Sequence, residues 1–305
     1  MLRIDQPLCF GASLGVSLCN RELRAGGFIV SLEDTQGALF DYFTHKVSAR
    51  AMQWVVMHIN LTGRVRLQVP GYATEHQAGT LFLGAGISSV FLRAVPGEAR
   101  HRILTLALPR PDQVMAVTHH VAAASRQVVA QARHLSGLLD TGASNHTVCR
   151  AVRQLISALH ASGIDAFPID EVETRLSSIT TADDQVLASA FEAVMSRPDL
   201  HPALSDVAAR IGLGERQTNR KLRSLLARYY ATHAAWSDYT AGYRLSAAVV
   251  LASCPAATPE RIARLSGFRH PSSLCHAFAA AGFRSPAALG RAMRAGDGVR
   301  GIAAW

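Results

Sequence analysis

Two stretches in the last third of the chain answer to each other, and they constrain the fold more than anything else in its 305 residues. Ala208-Ala-Arg-Ile-Gly212-Leu213 matches Ala263-Arg-Leu-Ser-Gly267-Phe268, 55 residues further on. An apolar ladder follows each glycine: Leu213, Thr218 and Leu222 in the first copy, Phe268, Leu274 and Phe278 in the second. The small residue lets two helices cross closely, and the glycine permits a tight turn between them. The ladder then gives the second helix an apolar inner face. One Ala-x-x-x-Gly in an alanine-rich chain carries little weight. Two copies, each with its ladder, predict a pair of helix-turn-helix motifs over a generic helical bundle.

The outer faces of the two second helices differ. The first carries Arg216, Gln217, Asn219, Arg220 and Arg223. Arginine can bond a guanine edge through two hydrogen bonds, and Asn or Gln can do the same with adenine. The second carries Arg269, Ser272, Ser273, Cys275 and His276, a smaller and less charged set suited to backbone contacts or weaker base reading. Between the copies, Thr232 to Ala252 reads as one helix with Trp236, Tyr239, Tyr243, Leu245, Ala248 and Leu251 as its apolar set. About 20 helical residues span roughly 30 Å, near the ~34 Å of one DNA turn. Such a linker could hold two recognition helices in successive major grooves. Charge agrees: the chain is +9, and from Asp184 to Trp305 fifteen basic side chains face eight acidic ones. A basic surplus fits a polyanionic partner, though a merely solubilising surface would give it too.

The first third has a different period. From about residue 25 to 108 short apolar runs alternate with turn signals, as in Gln53-Trp-Val-Val-Met-His-Ile-Asn-Leu61, Thr62-Gly63 and Arg64-Val-Arg-Leu-Gln-Val69. This spacing predicts a β-sandwich or barrel. From Val114 to Leu138 the apolar spacing turns helical, and a second amphipathic helix is predicted from Thr147 to Ala161. The two helices could cover the β region or form a dimer seam. Residues 162 to 182 read as a poorly ordered join.

No apolar run approaches the roughly 18 residues of a membrane span. Pro7 to Cys19 is small and apolar after Arg3, but Asp5, Gly11 and Gly15 argue against a secretion signal. Five scattered cysteines form no metal-ligand spacing and no even disulfide set, which fits a reducing cytoplasm. His45, His58, His76 and His101 include no His-x-His pair, and Glu75-His76 reads as a loop, so no metal is expected. His119-His120 falls on the predicted helix, where neighbouring side chains diverge. No phosphate loop, nucleophile elbow or paired-carboxylate motif is present, so an enzyme is not the leading expectation.

The stretch from about Gln185 to Arg294 resembles the AraC/XylS family of bacterial transcription regulators. The resemblance is carried by Leu204-x-x-Val-Ala208, Tyr239-x-x-x-x-Arg244-Leu245-x-x-Ala248-x-x-Leu251, Ile262-Ala263-x-x-x-Gly267-Phe268, Phe278, and Gly282-x-x-Ser285-Pro286. It implies an α+β chain, with an N-terminal small cupin-like β-barrel followed by helices and a C-terminal all-α double helix-turn-helix domain. The implied boundaries are a sensor domain at 1–110, a helical linker or dimerisation region at 111–178, the DNA-binding domain at 184–294 and a tail at 295–305. By position the resemblance puts Arg216, Asn219 and Arg220 at base edges in the first motif and Ser272, Ser273 and His276 at the DNA in the second; Gln217, Arg223 and Arg269, on the same outer faces, complete the candidate DNA contacts. Departures fall at the helix openings, where Gly214 and His270 replace a usual serine-like cap, and at Thr218, His276 and Leu289-Gly290. They leave the second motif the weaker candidate for sequence reading.

The resemblance further implies a cytoplasmic regulator, an activator acting on promoter DNA with RNA polymerase as a partner. A small-molecule effector or dimerisation through the N-terminal domain would control it, with no cofactor. Trp54, His58, Arg66 and Phe82 are the candidate effector contacts; the bland alternative is that Trp54 and Phe82 are simply core. Two competing functions stay open: a cupin-type enzyme with a helical appendage, and a DNA-binding protein whose barrel only dimerises.

Overall fold

In Phe28-Ile-Val-Ser-Leu-Glu-Asp-Thr35, residues 28, 30 and 32 are apolar while 31, 33 and 35 are polar. In an extended chain that alternation sends the two sets to opposite faces. In the computed structural model both faces are buried, and this explains the architecture of the N-terminal half. The structure describes residues 2–8, 17–36, 41–43, 53–69, 72–87, 91–94, 100–110, 118–178, 180–229, 235–252, 254, 256–281 and 283–294.

Among the described residues eleven strands come first: β1 (Leu2–Leu8), β2 (Ser17–Ala25), β3 (Phe28–Gln36), β4 (Asp41–Phe43), β5 (Gln53–Thr62), β6 (Val65–Val69), β7 (Tyr72–His76), β8 (Thr80–Ile87), β9 (Phe91–Ala94), β10 (Arg100–Arg110) and β11 (Thr118–Ala123). They form a seven-stranded sheet, β1-β2-β3-β10-β5-β8-β11, and a four-stranded sheet, β4-β9-β6-β7. Every pairing is antiparallel. The sheets meet where Asn60 Nδ2 donates to the His76 carbonyl at 3.1 Å and the His76 ring lies 6.3 Å from that of Phe82. Among the described residues no backbone ladder joins them, so of the expected sandwich or barrel the strands give two antiparallel sheets and no closed barrel.

The outer face of the large sheet is covered by α1 (Arg126–Asp140), α2 (Asn145–Ala161) and α3 (Ile169–Leu176). Phe28, Val30 and Leu32 of β3, Val55, Met57 and Ile59 of β5, and Leu104, Leu106 and Leu108 of β10 pack there against Val128, Leu135, Val152, Leu155, Phe167 and Val172. The two amphipathic helices therefore bury their apolar stripes on the sheet. Ion pairs brace the arrangement. Asp140 at the end of α1 binds Arg21 at 2.7 Å and also Arg102, while Glu171 of α3 binds Arg110 at 2.5 Å and Arg175 at 2.9 Å.

Three expectations need correction here. The helix expected from Val114 begins at Arg126, capped by Ser125, whose hydroxyl accepts from Val128 N at 3.2 Å. The preceding Thr118–Ala123 is an edge strand on β8; a run of valines and alanines fits either period when it is short. The expected loose join at 162–182 contains α3, which buries Val172 and Leu176. Strands also begin well before residue 25, and Leu2 is fully buried, not against the sheet but in a helical core with Leu187, Phe191 and Tyr229.

That helical part comprises α4 (Ala182–Met195), α5 (Leu204–Ile211), α6 (Glu215–Tyr229), α7 (Trp236–Ala252), α8 (Pro259–Leu265), α9 (Pro271–Ala280) and α10 (Pro286–Arg294). It has two cores. The first gathers α4, α5 and α6 with Trp236, Tyr239 and Tyr243 from the first half of α7. The second gathers α8, α9 and α10 with Ala247, Ala248, Val249 and Leu251 from its second half. The 17 residues of α7, about 25 Å of helix, thus connect two separately packed units. Among the described residues no helix is long and apolar enough to cross a membrane.

Candidate functional site

The first matched stretch folds as α5, a turn at Gly212-Leu213-Gly214, and α6. Gly212 ends α5 in the left-handed conformation, φ 68°, which only glycine adopts without steric cost. Leu213 N then donates back to the Ala208 carbonyl at 3.1 Å, a six-residue closure that fixes the exit angle. Along α6, Thr218, Leu222, Leu225, Leu226 and Tyr229 are buried. Thr218 holds a position where an apolar residue was expected. Its hydroxyl donates to the Gly214 carbonyl at 3.1 Å, so it is buried without leaving a polar atom unsatisfied.

The opposite face of α6 is open. Arg216, Gln217, Arg220 and Arg223 are exposed and Asn219 is half-buried. The cations of this helix are sorted. Lys221 reaches Asp183 at 3.1 Å and Arg228 reaches Asp184 at 2.7 Å, both on α4. Asp184 also caps its own helix with Thr181 and accepts from the Tyr229 hydroxyl at 3.2 Å. Among the described residues no carboxylate holds Arg216, Arg220 or Arg223. The helix thus presents three guanidinium groups with their donors uncommitted, and two amides beside them. Such a row can form bidentate bonds to phosphates or base edges.

The second matched stretch folds as α8, a turn through Gly267 (φ 78°), and α9. Phe268 N closes on the Ala263 carbonyl at 2.8 Å, the counterpart of the Leu213 bond. Leu274 and Phe278 are buried, and Arg269, Ser272, Ser273, Cys275 and His276 are exposed. His270 stands at the N-cap of α9 and makes no side-chain capping bond. The second exposed face therefore carries one guanidinium, at its entry, where the first carries three.

The structure places the four candidate effector residues unequally. The inner face of the large sheet carries Trp54, Val56, His58 and Asn60 from β5, Phe82 from β8, Thr105 and Ala107 from β10, and Ser31 and Glu33 from β3. Each of these is under one-tenth exposed. Trp54, His58 and Phe82 thus share one buried face, with the His58 and Phe82 rings stacked at 6.0 Å. Arg66 sits on β6 between the buried Val65 and Leu67, is only half-buried, and belongs to the other side of its strand. Glu75-His76, expected on a loop, lies in β7, with His76 turned inward. His119 and His120 lie exposed on β11; His120 borders a groove of about 490 Å³ with Leu83, Val128 and Ile164. His45 lies outside the described residues. Among those described, no three His, Cys, Asp or Glu are placed to hold a metal.

On this inner face burial disfavours the charged forms of His58, His76 and Glu33. His58 Nδ1 lies 2.8 Å from Thr105 Oγ1, and burial, with His76 nearby, holds its pKa down at about 3. Burial also lowers that of His76. Burial, and then the Glu22 charge, pushes the Glu33 carboxyl up to about 8. Both Glu33 oxygens, His58 Nε2, Asn60 Oδ1 and His76 Nε2 are buried with no hydrogen-bond partner among the described residues. Asn20, directly across from Glu33 in the ladder, is instead engaged with Glu22 at 2.8 Å and Ser31 at 2.7 Å. The two inner-facing acids, Glu22 and Glu33, were not singled out from the sequence. Their signal was the polar half of the β2 and β3 alternation, which reads as solvent-facing until the second sheet is known.

The β-rich part reaches the helical part here. Burial, followed by the Glu192 and Glu22 carboxylates, raises the phenol pKa of Tyr239, while Arg24 opposes it. Glu22 lies on β2 and Tyr239 on α7, so the polar face of the sheet ends against the helix that links the two helical cores.

No protein-family model and no curated protein matches the sequence. Among solved structures, the chain is similar to ToxT from Vibrio cholerae with an unsaturated fatty acid bound, at 12% identity and TM-score 0.35, over 87% of this chain and 95% of that one. It is similar to the AraC-like transcriptional activator CuxR at 13% identity and TM-score 0.33, over 74% and 85%. It is also similar to the bacterial pirin YhhW from Escherichia coli in complex with nickel(II), at 11% identity and TM-score 0.30. That match covers 36% of this chain and about half, 52%, of the pirin. Likeness this remote in sequence and partial in shape does not carry a function from one chain to another.

Proposed function

We propose that the chain is a sequence-specific DNA-binding transcription regulator of the AraC/XylS kind, an activator, in which α5–α6 and α8–α9 are its two helix-turn-helix motifs. The observation that carries this is the exposed row Arg216, Gln217, Arg220 and Arg223 on α6, uncommitted to any carboxylate among the described residues while Lys221 and Arg228 are held by α4. A helix that merely solubilised the protein would gain nothing from that sorting. Arg216, Asn219 and Arg220 are the base-reading residues, with Gln217 and Arg223 beside them. Arg269, Ser272, Ser273 and His276 supply weaker contacts from the second motif. Double-stranded promoter DNA is the partner, with RNA polymerase recruited beside it.

Residues 1–110 form the sensing part, 111–178 the linker or dimerisation region, and 184–294 the DNA-binding part. A small uncharged effector between the sheets would meet Trp54, His58 and Phe82 together with the unpartnered donors and acceptors of Glu33, Asn60 and His76. Arg66 is not among these contacts.

Selection of duplexes from a random pool by the full chain, followed by gel shift, tests the function. Arg220→Ala is expected to weaken binding to the selected site by about 1–3 kcal/mol, and His276→Ala by less. The reverse order would transfer the main reading role to α9. A thermal-shift panel of uncharged metabolites tests the control: a stabilising ligand supports sensing. A panel that stabilises nothing, beside a concentration-dependent dimer, favours a β-rich part that only dimerises.

A further inference from the structure

The two helical cores are joined by α7, whose two halves belong to different cores. A single helical rod fixes the distance between α6 and α9 better than it fixes their relative rotation. A second link lies off that axis. His201 lies two residues before Ala203, the N-cap of α5, and its Nδ1 lies 3.0 Å from the carbonyl oxygen of Gly267 in the α8–α9 turn. The carbonyl can only accept, so the imidazole donates from Nδ1. The bond therefore ties the entrance of the first motif to the turn of the second.

The segment bearing His201 is built to hold it. Arg197 grips Asp199 with two bonds, at 3.0 and 2.9 Å, around the short turn Pro198–Leu200. That turn packs against α8. His201 has φ 52°, the one positive value at a non-glycine among the described residues. Pro202 behind it disfavours the right-handed helical conformation. A left-handed histidine persists where its surroundings hold it.

We infer that His201 is a positioning residue for DNA reading, a strut that sets the angle between α6 and α9 and so the spacing of the two half-elements the protein accepts. This rests on the DNA-binding function proposed above. Moving one half-element by one base pair shifts it about 3.4 Å along the axis and about 35° around it. A braced pair of motifs cannot follow that displacement, whereas a pair that keeps α7 and the packing of the Pro198–Leu200 turn on α8 but lacks the His201 bond can swivel toward it.

The test uses full-length protein and the duplex it selects from a random pool. The segment read by the second motif is displaced by one or two base pairs in either direction, and a truncated duplex keeps the first half-element alone. His201→Gly keeps the left-handed backbone and removes the imidazole; His201→Asn keeps both the tolerance for that backbone and a donor. The wild type is expected to lose about tenfold in affinity for each base pair of displacement, a mismatch-sized effect. His201→Gly should flatten the series to within about threefold, bind the truncated duplex as the wild type does, and be partly restored by Asn. A wild-type spacing profile in His201→Gly overturns the inference, as does an equal loss on the full and truncated duplexes. If no sequence is enriched at all, the regulator function fails and the inference with it, an outcome distinct from either of those.

Discussion

Replacing Arg216, Arg220 and Arg223 together with alanine is expected to remove sequence-specific DNA binding while leaving the fold intact. Each base-reading or phosphate-holding arginine contributes about 1–3 kcal/mol, and neighbours are not strictly additive. A combined loss on the order of 100-fold to 10,000-fold in affinity follows. The three side chains are exposed and hold no carboxylate among the described residues. Surface changes of this kind alter stability by only about 0.5 kcal/mol each. The salt dependence of residual binding should also become shallower, because fewer counterions are released. A parallel Lys221→Ala variant gives the contrast, since that side chain is committed to Asp183 and should matter much less. Affinity and thermal melting measured on the same samples check both halves: equal losses for Lys221→Ala and the triple variant would remove the argument from sorted cations.

The second large effect is on stability and pH. Glu33 is buried with a pKa raised from 4.5 to about 8. A group that binds its proton more tightly when folded loses stabilising effect as pH rises from its unfolded to its folded value. At about 1.4 kcal/mol per unit, the whole window is worth on the order of 5 kcal/mol. His58 runs the other way: its pKa falls from 6.5 to about 3, so its contribution is complete above 6.5 and is lost as pH drops. The two oppose each other between pH 4.5 and 6.5. Above that, Glu33 acts alone, and the wild type should lose about 2 kcal/mol between pH 6.5 and 8. Glu33→Gln keeps the shape, cannot ionise, and should be flat over the same range and more stable than the wild type at pH 9. Urea unfolding across pH checks this. An alkaline slope that persists in Glu33→Gln would assign the effect to another group.

The helical half was legible because its signals are local. The glycine turns, the ladder to Phe278 and the apolar face of α6 depend on residues within a few positions of each other. What a local pattern cannot carry is partnership at a distance. Lys221 and Arg228 look like Arg220 and Arg223 in the sequence. Only the packing of α4 on α6 brings Asp183 and Asp184 to the first two. Thr218 looked like a lost core position until its hydroxyl was seen to bond Gly214.

In the β-rich half the alternation of strands was readable, but which face was inside was not, because both are. Trp54, His58 and Phe82 lie on one buried face of the large sheet, while Arg66 falls on the other side of β6 through the parity of that strand alone. Glu33 is not singled out by the sequence, because its polar place in the β3 alternation looks the same whether that face meets solvent or is buried. The edge strand Thr118–Ala123 was hidden by an accidental helical spacing of valines, and nothing near Leu2 announces that it joins a helical core more than 180 residues away along the chain.

The reading of a DNA sequence by α6 and α9 is the function proposed for this chain. Its most direct test is the equilibrium affinity of the full chain for its selected duplex against an unrelated duplex of equal length, at an ionic strength near 0.15 M. A preference of about 1,000-fold or more is the expected result. Equal affinity for the two duplexes would contradict it, leaving a basic surface that holds nucleic acid by charge alone.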